Sequence, residues 1–415
     1  MGTYIHLAIG RLEIDWGKND GYCDHACLFQ PDDLAQIPYY YVDGDKGTYV
    51  DAEGETHYHL YAQYQDGMSK PLGLVVDRLE LLGYSLETCE HEFAYLNDMH
   101  EAGHETFTFD DLMQTFIELD VDAISYDGGM GDKFEKILRR SLIARFGPEA
   151  TTEAHELGID DMSAIECLGA YTILRLLALN PNAQNLPVNW QFADSEQAGW
   201  IGRRSIVRPL DPAYRFLVVT EGSSDANIIQ HALKLLKPHI ADFFDFVDME
   251  EGYPFSGTGN LLKFLKGLIS ISIRNNVLIV YDNDAEGVTN YEKSCALNIP
   301  ENMFIMKLPD RPDFKQFSTI GPSGQHKADI NGRAAAIECY LDLHPDALVR
   351  WTSFNDRIDR YQGELINKTH FAREFLSQRK RLADYDYSGI EAVLEEAIES
   401  CIAIQRKALR HLLDD

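Results

Sequence analysis

Residues 216–225 read Phe-Leu-Val-Val-Thr-Glu-Gly-Ser-Ser-Asp, and residues 277–287 read Val-Leu-Ile-Val-Tyr-Asp-Asn-Asp-Ala-Glu-Gly. Each is a short apolar run, rich in β-branched residues, that stops abruptly at carboxylates. Runs of this kind, bounded by turn residues, predict fully buried strands of a parallel sheet. Ligands of open parallel sheets sit at the carboxyl ends of the strands. Glu221, Asp282 and Asp284 are therefore expected to converge at one sheet edge. Like charges held that close repel, and a divalent cation is the natural way to neutralise them.

The flanking sequence keeps the same alternation. Residues 225–236 predict a crossover helix and 243–248 a second strand. Gly257-Thr-Gly-Asn260 leads into a helix to about residue 273, a further helix covers 286–296, and 303–308 predicts a fourth strand. Strands alternating with helices of this length are βαβ units. Glu-Gly-x-x-Asp after one strand and Asp-x-Asp after a later one resemble the Toprim domain of topoisomerases, bacterial primases, recombination mediators and overcoming-lysogenization-defect nucleases. The resemblance implies a Rossmann-like parallel sheet and a Mg2+ (or Mn2+) site. Asp282 and Asp284 would hold the ion, and Glu221 would act as general acid/base or as a ligand. Asp225 and Glu286 are further candidates, with a helix cap as the plainer reading of Asp225. Ile337-Glu338-Cys339-Tyr340-Leu341 resembles the stretch that follows the Toprim core in the overcoming-lysogenization-defect-like nucleases, which implies a second-metal role for Glu338 on a helix over 331–343. Lys307, at the end of the fourth strand, could neutralise a phosphate or lie along the surface as an ordinary lysine.

The chain has 415 residues and a net charge of −30. Residues 1–200 hold 11 Lys and Arg against 36 Asp and Glu, whereas 201–415 hold 26 against 31. That balance excludes a broadly basic nucleic-acid-coating surface and leaves the C-terminal half as the part that could meet a polyanion. The acidic half could mask the site until it is triggered. Seven cysteines, odd and scattered, do not suggest a secreted disulfide framework. No apolar run reaches membrane-spanning length, and Met1 opens no charged-then-apolar leader, so a cytoplasmic protein without membrane contact is expected.

Three domains are expected. Residues 1–200 alternate short aromatic strands with turns and then helices, giving an acidic α+β domain. Helices are read over 72–82, 110–119 (behind a Thr108 cap), 132–146 with a basic face, and 163–179. Residues 181–211, with a cluster of Trp190, Phe192 and Trp200, read as a partly packed linker, 212–325 as the parallel-sheet domain with a polar loop from 309, and 326–415 as a helical C-terminal extension. Met-Gly-Thr-Tyr at the start, Ile9-Gly10 and Tyr361-Gln362-Gly363-Glu364 make the whole chain resemble bacterial HEPN/Toprim-associated proteins. By that likeness the expected activity is metal-dependent endonucleolytic cleavage of DNA or RNA, tRNA included, in antiphage defence.

Other patterns stand beside this one. Arg406 and His411 fit the Arg-x4-His pair of HEPN ribonucleases, an alternative catalytic centre. A non-catalytic Toprim scaffold is the alternative outside enzymes. Cys23, His25 and Cys27, with Cys89 and His91, could supply zinc ligands, although free buried cysteines are the commoner outcome. Neither Gly257-x-Gly259 nor Gly-Gly-Met-Gly-Asp-Lys at 128–133 completes a phosphate-binding Gly-x4-Gly-Lys-[Ser/Thr] loop. ATP dependence would require a partner chain, and a homo-oligomer is open to it.

Overall fold

The computed structural model describes residues 2–10, 12–42, 48–50, 54, 56–58, 60–99, 108–120, 141, 167–247, 258–355 and 360–414. The chain forms two compact units, Met1–Leu210 with Leu409–Asp415, and Asp211–Ala408. Among the described residues no helix is long and apolar enough to cross a membrane.

The first unit opens with β1 (Tyr4–Ile9), β2 (Leu12–Lys18), β3 (Leu34–Val42), β4 (Thr48–Val50), β5 (Thr56–Tyr58) and β6 (Leu60–Pro71). Helices α1 (Leu72–Leu81), α2 (Leu86–Met99), α3 (Phe109–Glu118) and α4 (Ala170–Leu177) follow, then β7 (Pro187–Gln191). Five of the strands pair antiparallel in the order β2-β1-β7-β6-β3. The Thr108 hydroxyl accepts from the Asp111 N–H and caps α3, as its sequence suggests. Strand β7 corrects the linker expected over 181–211. It lies between β1 and β6, and Trp190 on it is 1 % exposed. A backbone at that depth needs partners, and the two neighbouring strands supply them. The helix expected over 132–146 and the glycines of 128–131 lie outside the described residues, residue 141 apart.

The second unit carries β8 (Phe216–Val219), α5 (Ser223–Leu236), β9 (Phe244–Phe246), α6 (Thr258–Ser270), β10 (Asn276–Tyr281), β11 (Asn283–Asp284), α7 (Ala285–Cys295) and β12 (Met303–Lys307). The sheet is parallel throughout, in the order β12-β10-β8-β9. The chain lays β9 on one side of β8, then crosses to the other side for β10 and β12. The sheet therefore reverses its direction of growth between β8 and β10, the position where Rossmann-like sheets open a ligand crevice. On one face Leu261, Leu265 and Leu268 of α6 pack against Val219, Val277, Ile279, Tyr281, Met303 and Ile305. Spacings of three and four put the leucines on one helix face, and spacings of two put the strand residues on one sheet face. Each fully buried Val, Leu or Ile contributes roughly 1.5–3 kcal/mol.

The remainder comprises β13 (Phe317–Gly321), β14 (Gly324–Ala328), β15 (Ala334–Ala335), β16 (Val349–Asn355), β17 (Arg360–Leu365), α8 (Lys368–Leu376) and α9 (Ser388–Asp414). Helix α9 reaches the parallel sheet, with Ser400 Oγ 4.0 Å from Met306 Sδ. Two expectations are corrected here. The extension is not purely helical, because a mixed sheet of order β14-β13-β16-β17 spans it and the polar loop before it. Most of β14 is exposed, so backbone pairing holds it and its side chains show no apolar signal. The helix expected over 331–343 is instead β15 and a 3₁₀ turn, Ile337–Tyr340. All four turn residues are buried, and a segment enclosed on every side has no amphipathic face to display.

Candidate metal centre

Strands β8 and β10 end side by side, Ile279 opposite Val219. Asp282 follows β10 directly, and Glu221 follows β8 after Thr220. The Asp282 N–H donates to Glu221 Oε1 at 3.1 Å. Gly287, at the start of α7, backs onto the same atoms: a Cβ there would sit 2.3 Å from the Asp282 carbonyl and 2.9 Å from Glu221 Oε1. Only a residue without a side chain permits that approach. Gly287→Ala is expected to cost about 1–3 kcal/mol by overpacking, measured by denaturant unfolding; a neutral result would mean that α7 does not press on the strand ends.

Asp284 closes the same turn, its Oδ1 accepting from the Gly287 N–H at 2.6 Å as the cap of α7. Asp225, in the first turn of α5, accepts from the Gly222 N–H at 3.0 Å, so the helix-cap reading holds alongside its place in the cluster. Glu338 arrives from far along the chain. Strand β15 pairs with β11, Ala334 opposite Asp284, and the turn after it brings Glu338 to Ser224, whose hydroxyl donates to Glu338 Oε1 at 3.2 Å. Glu338 is 5 % exposed and Glu221 8 % exposed. Glu286 is exposed on the first turn of α7.

The electrostatics tie these groups together. Burial, and then the Asp284 charge, push the Glu221 carboxyl up to about 9. Burial, and then Glu338, push Asp225 up to about 7. Asp282 stands well above the ordinary carboxylate range, through burial first and then Asp225, Glu221, Asp284 and Glu338. Asp284 is raised by burial against the hydrogen bond from Gly287. Lys368, the first residue of α8, opposes the rise at Asp225 and Asp284. Among the described residues none of Glu221, Asp225, Asp282, Asp284 or Glu338 forms an ion pair. A group of buried and half-buried carboxylates without ion-pair partners has the donor set of a hard divalent ion. Its ligand atoms are spread: among the described residues only His344, His370 and Glu374 bring three within 4.8 Å of one another. Mg2+ keeps several waters and takes one or two carboxylates directly, so it does not require three of them to converge.

Asn283 stands between the two aspartates and faces the other way, as alternation along a strand requires. It is fully buried. Its amide donates to Asp310 at 2.9 Å, and its carbonyl accepts from the Gly332 N–H at 2.9 Å and from Lys307 at 3.3 Å. Lys307 is thereby placed on the Asn283 side, paired with Asp310 at 2.7 Å. Asn283→Ala is expected to cost about 2–3 kcal/mol by leaving buried polar groups unpaired, checked by urea unfolding; a loss below about 0.5 kcal/mol would show that water replaces the amide.

Asn283, Ser224, Gly287 and Lys368 were not found by sequence reasoning. The period of two could have flagged Asn283, whereas Lys368 is distant and gives no local signal. Among the described residues the zinc candidates do not gather into a site. His25 Nε2 lies 2.8 Å from Asp15 Oδ2 and its Nδ1 3.2 Å from the Tyr171 hydroxyl, which also meets Cys27 Sγ at 3.2 Å. Cys89 is buried on α2. These are hydrogen-bonded or core positions. Arg406 lies near the end of α9, and the His411 side chain lies outside the described residues.

The family described as HEPN/Toprim N-terminal domain 1 matches residues 1–213, just over half of the chain. The chain belongs to that family. Its name carries a nuclease association for the chain, and its match ends just before β8, so the carboxylate cluster lies beyond the matched residues. No curated protein and no solved structure matches the chain.

Proposed function

We propose that the second unit is a Toprim-type, Mg2+- or Mn2+-dependent nuclease that cleaves phosphodiester bonds of DNA or RNA. The observation that carries this reading is the set of carboxylates at the carboxyl ends of β8 and β10, where the sheet reverses its growth. Asp282 and Asp284 would hold the ion, with Asp225 and Glu338 on the far side of the cluster as further ligands. A divalent ion there would supply Lewis-acid charge and make a bound water acidic enough to attack at neutral pH. Glu221, buried and raised, would retain a proton at neutral pH and deliver it to the leaving oxygen, or ionise and join the ligands once the ion is present. Lys368 would meet the substrate phosphate, the role first considered for Lys307. Carboxylates of this kind handle the phosphate, which DNA and RNA share. A regulatory or ATPase partner and self-association belong to the same proposal.

The test is cleavage of DNA and tRNA in Mg2+ and in Mn2+, with Asp282→Ala as control. Cleavage lost in the variant supports the proposal, and cleavage retained moves the active site elsewhere, with Arg406 and His411 next to examine. Absence of cleavage on either substrate, with Mg2+ still bound, favours a scaffold. Lys368→Met is expected to lower kcat/KM by about tenfold or more, since one hydrogen bond to a charged group is worth about 1.5–3 kcal/mol. An unchanged kcat/KM would remove Lys368 from the phosphate site.

A further inference from the structure

His344 lies six residues beyond Glu338. His370 and Glu374 are four apart on α8 and so share one face of that helix. The His344 Nε2 lies 3.7 Å from Glu374 Oε2, and the His370 Nε2 lies 3.9 Å from the same oxygen. All three ligand atoms fall within 4.8 Å of one another. The two imidazoles stack, with centroids 5.8 Å apart and planes 21° from parallel. Phe371, buried beneath them, contacts both rings at 5.6 and 5.7 Å.

The separations are too long for hydrogen bonds, which run from about 2.7 to 3.2 Å for nitrogen and oxygen. They are close to what a shared cation requires. Bonds of about 2.0–2.2 Å in a tetrahedral zinc site put ligand atoms roughly 3.4 Å apart. The two distances to Glu374 exceed that by about 0.3 and 0.5 Å, and the whole group stays within 4.8 Å, so closing on an ion asks for rotations of side chains that stand in solvent. Two imidazoles and one carboxylate, with a fourth position open to water, are a donor set for Zn2+ and its first-row neighbours, whereas Mg2+ prefers oxygen alone.

We propose that His344, His370 and Glu374 form a second metal site, taking Zn2+ or a similar borderline-soft ion, separate from the carboxylate cluster. The bound ion joins the segment that carries Glu338 to the helix that begins with Lys368. Its effect on catalysis, which rests on the nuclease reading, would be to hold those two residues in place. The site itself does not depend on that reading.

Full-length protein is titrated with Zn2+ and with Co2+ under saturating Mg2+, which occupies the carboxylate cluster, and binding is read by calorimetry and by the Co2+ visible spectrum. The wild type is expected to bind one more ion than His344→Ala/His370→Ala and to show a Co2+ band that the double variant loses. The single variant His370→Ala should bind at least tenfold more weakly. Because both histidines are exposed, the variants should melt with the wild type in EDTA. Asp282→Asn should keep this ion, so a failed nuclease assay leaves the result intact. Equal stoichiometry and affinity in the wild type and the double variant would overturn the site, as would no binding by the wild type.

Discussion

Asp282→Asn is expected to abolish cleavage and yet raise the melting temperature of the metal-free protein. Among the described residues the Asp282 carboxylate accepts no hydrogen bond, and burial together with Asp225, Glu221, Asp284 and Glu338 disfavours its charge. Asparagine keeps the shape and is neutral, so the folded state no longer has to take up a proton or hold a charge that the unfolded chain carries freely in water, while the packing stays. A gain of about 1–3 kcal/mol is expected from relieving a buried, unpaired charge. In a unit of this size each kcal/mol moves Tm by about 2–4 °C. Activity should fall by more than ~100-fold, because groups one step removed from a metal already cost about 10–100-fold when lost. Mg2+ should also stop raising Tm, since stabilisation by a ligand requires that the folded state bind it. Melting curves in EDTA and in Mg2+, beside a cleavage assay, check all three. A variant less stable than the wild type in EDTA would mean that the carboxylate is compensated in the metal-free state.

The second large effect is a pH dependence whose sign Mg2+ reduces or reverses. In the unfolded chain Glu221 and Asp225 ionise near their ordinary values of 4.5 and 3.8, whereas in the folded chain they hold their protons to about 9 and about 7. Asp282 and Asp284 shift in the same direction. Between those limits the folded state binds more protons than the unfolded state, so stability falls as pH rises. The loss begins above about pH 4 and continues through about pH 9. Metal-free protein should therefore melt several degrees lower at about pH 8.5 than at about pH 6. Mg2+ binds the ionised carboxylates, so its stabilisation should be larger at the higher pH. Thermal melts at both pH values, with Mg2+ and with EDTA, decide it. A metal-free Tm that rises with pH over this interval would contradict the raised carboxylates.

Much of the parallel sheet was legible because its signal is local. Runs such as Val277–Tyr281 are continuous in sequence, fully apolar and cut off by turn residues, and α5, β10 and α7 lie within two residues of their expected bounds. The strands of the C-terminal part were not legible for the opposite reason. Strand β14 is polar and exposed, and only its pairing with β13 makes it a strand. Strand β7 was hidden between prolines, and only its place between β1 and β6 shows why Trp190 is buried.

The candidate site divides along the same line. By itself the sequence determined that two apolar strands end in carboxylates, since strand propensity, burial and turn chemistry are written into neighbouring residues. It also carried the motif around Glu338. Only the tertiary structure decided that Glu338 meets Ser224 and that Asn283 turns away to lock the strand ends. The same holds for the charge of Lys368 acting on Asp225 and Asp284 and for His344 reaching His370 and Glu374. Those meetings depend on pairings such as Asp284 with Ala334. The residues involved are polar, singly placed and far apart, and their energy exists only after the chain has closed the loops between them.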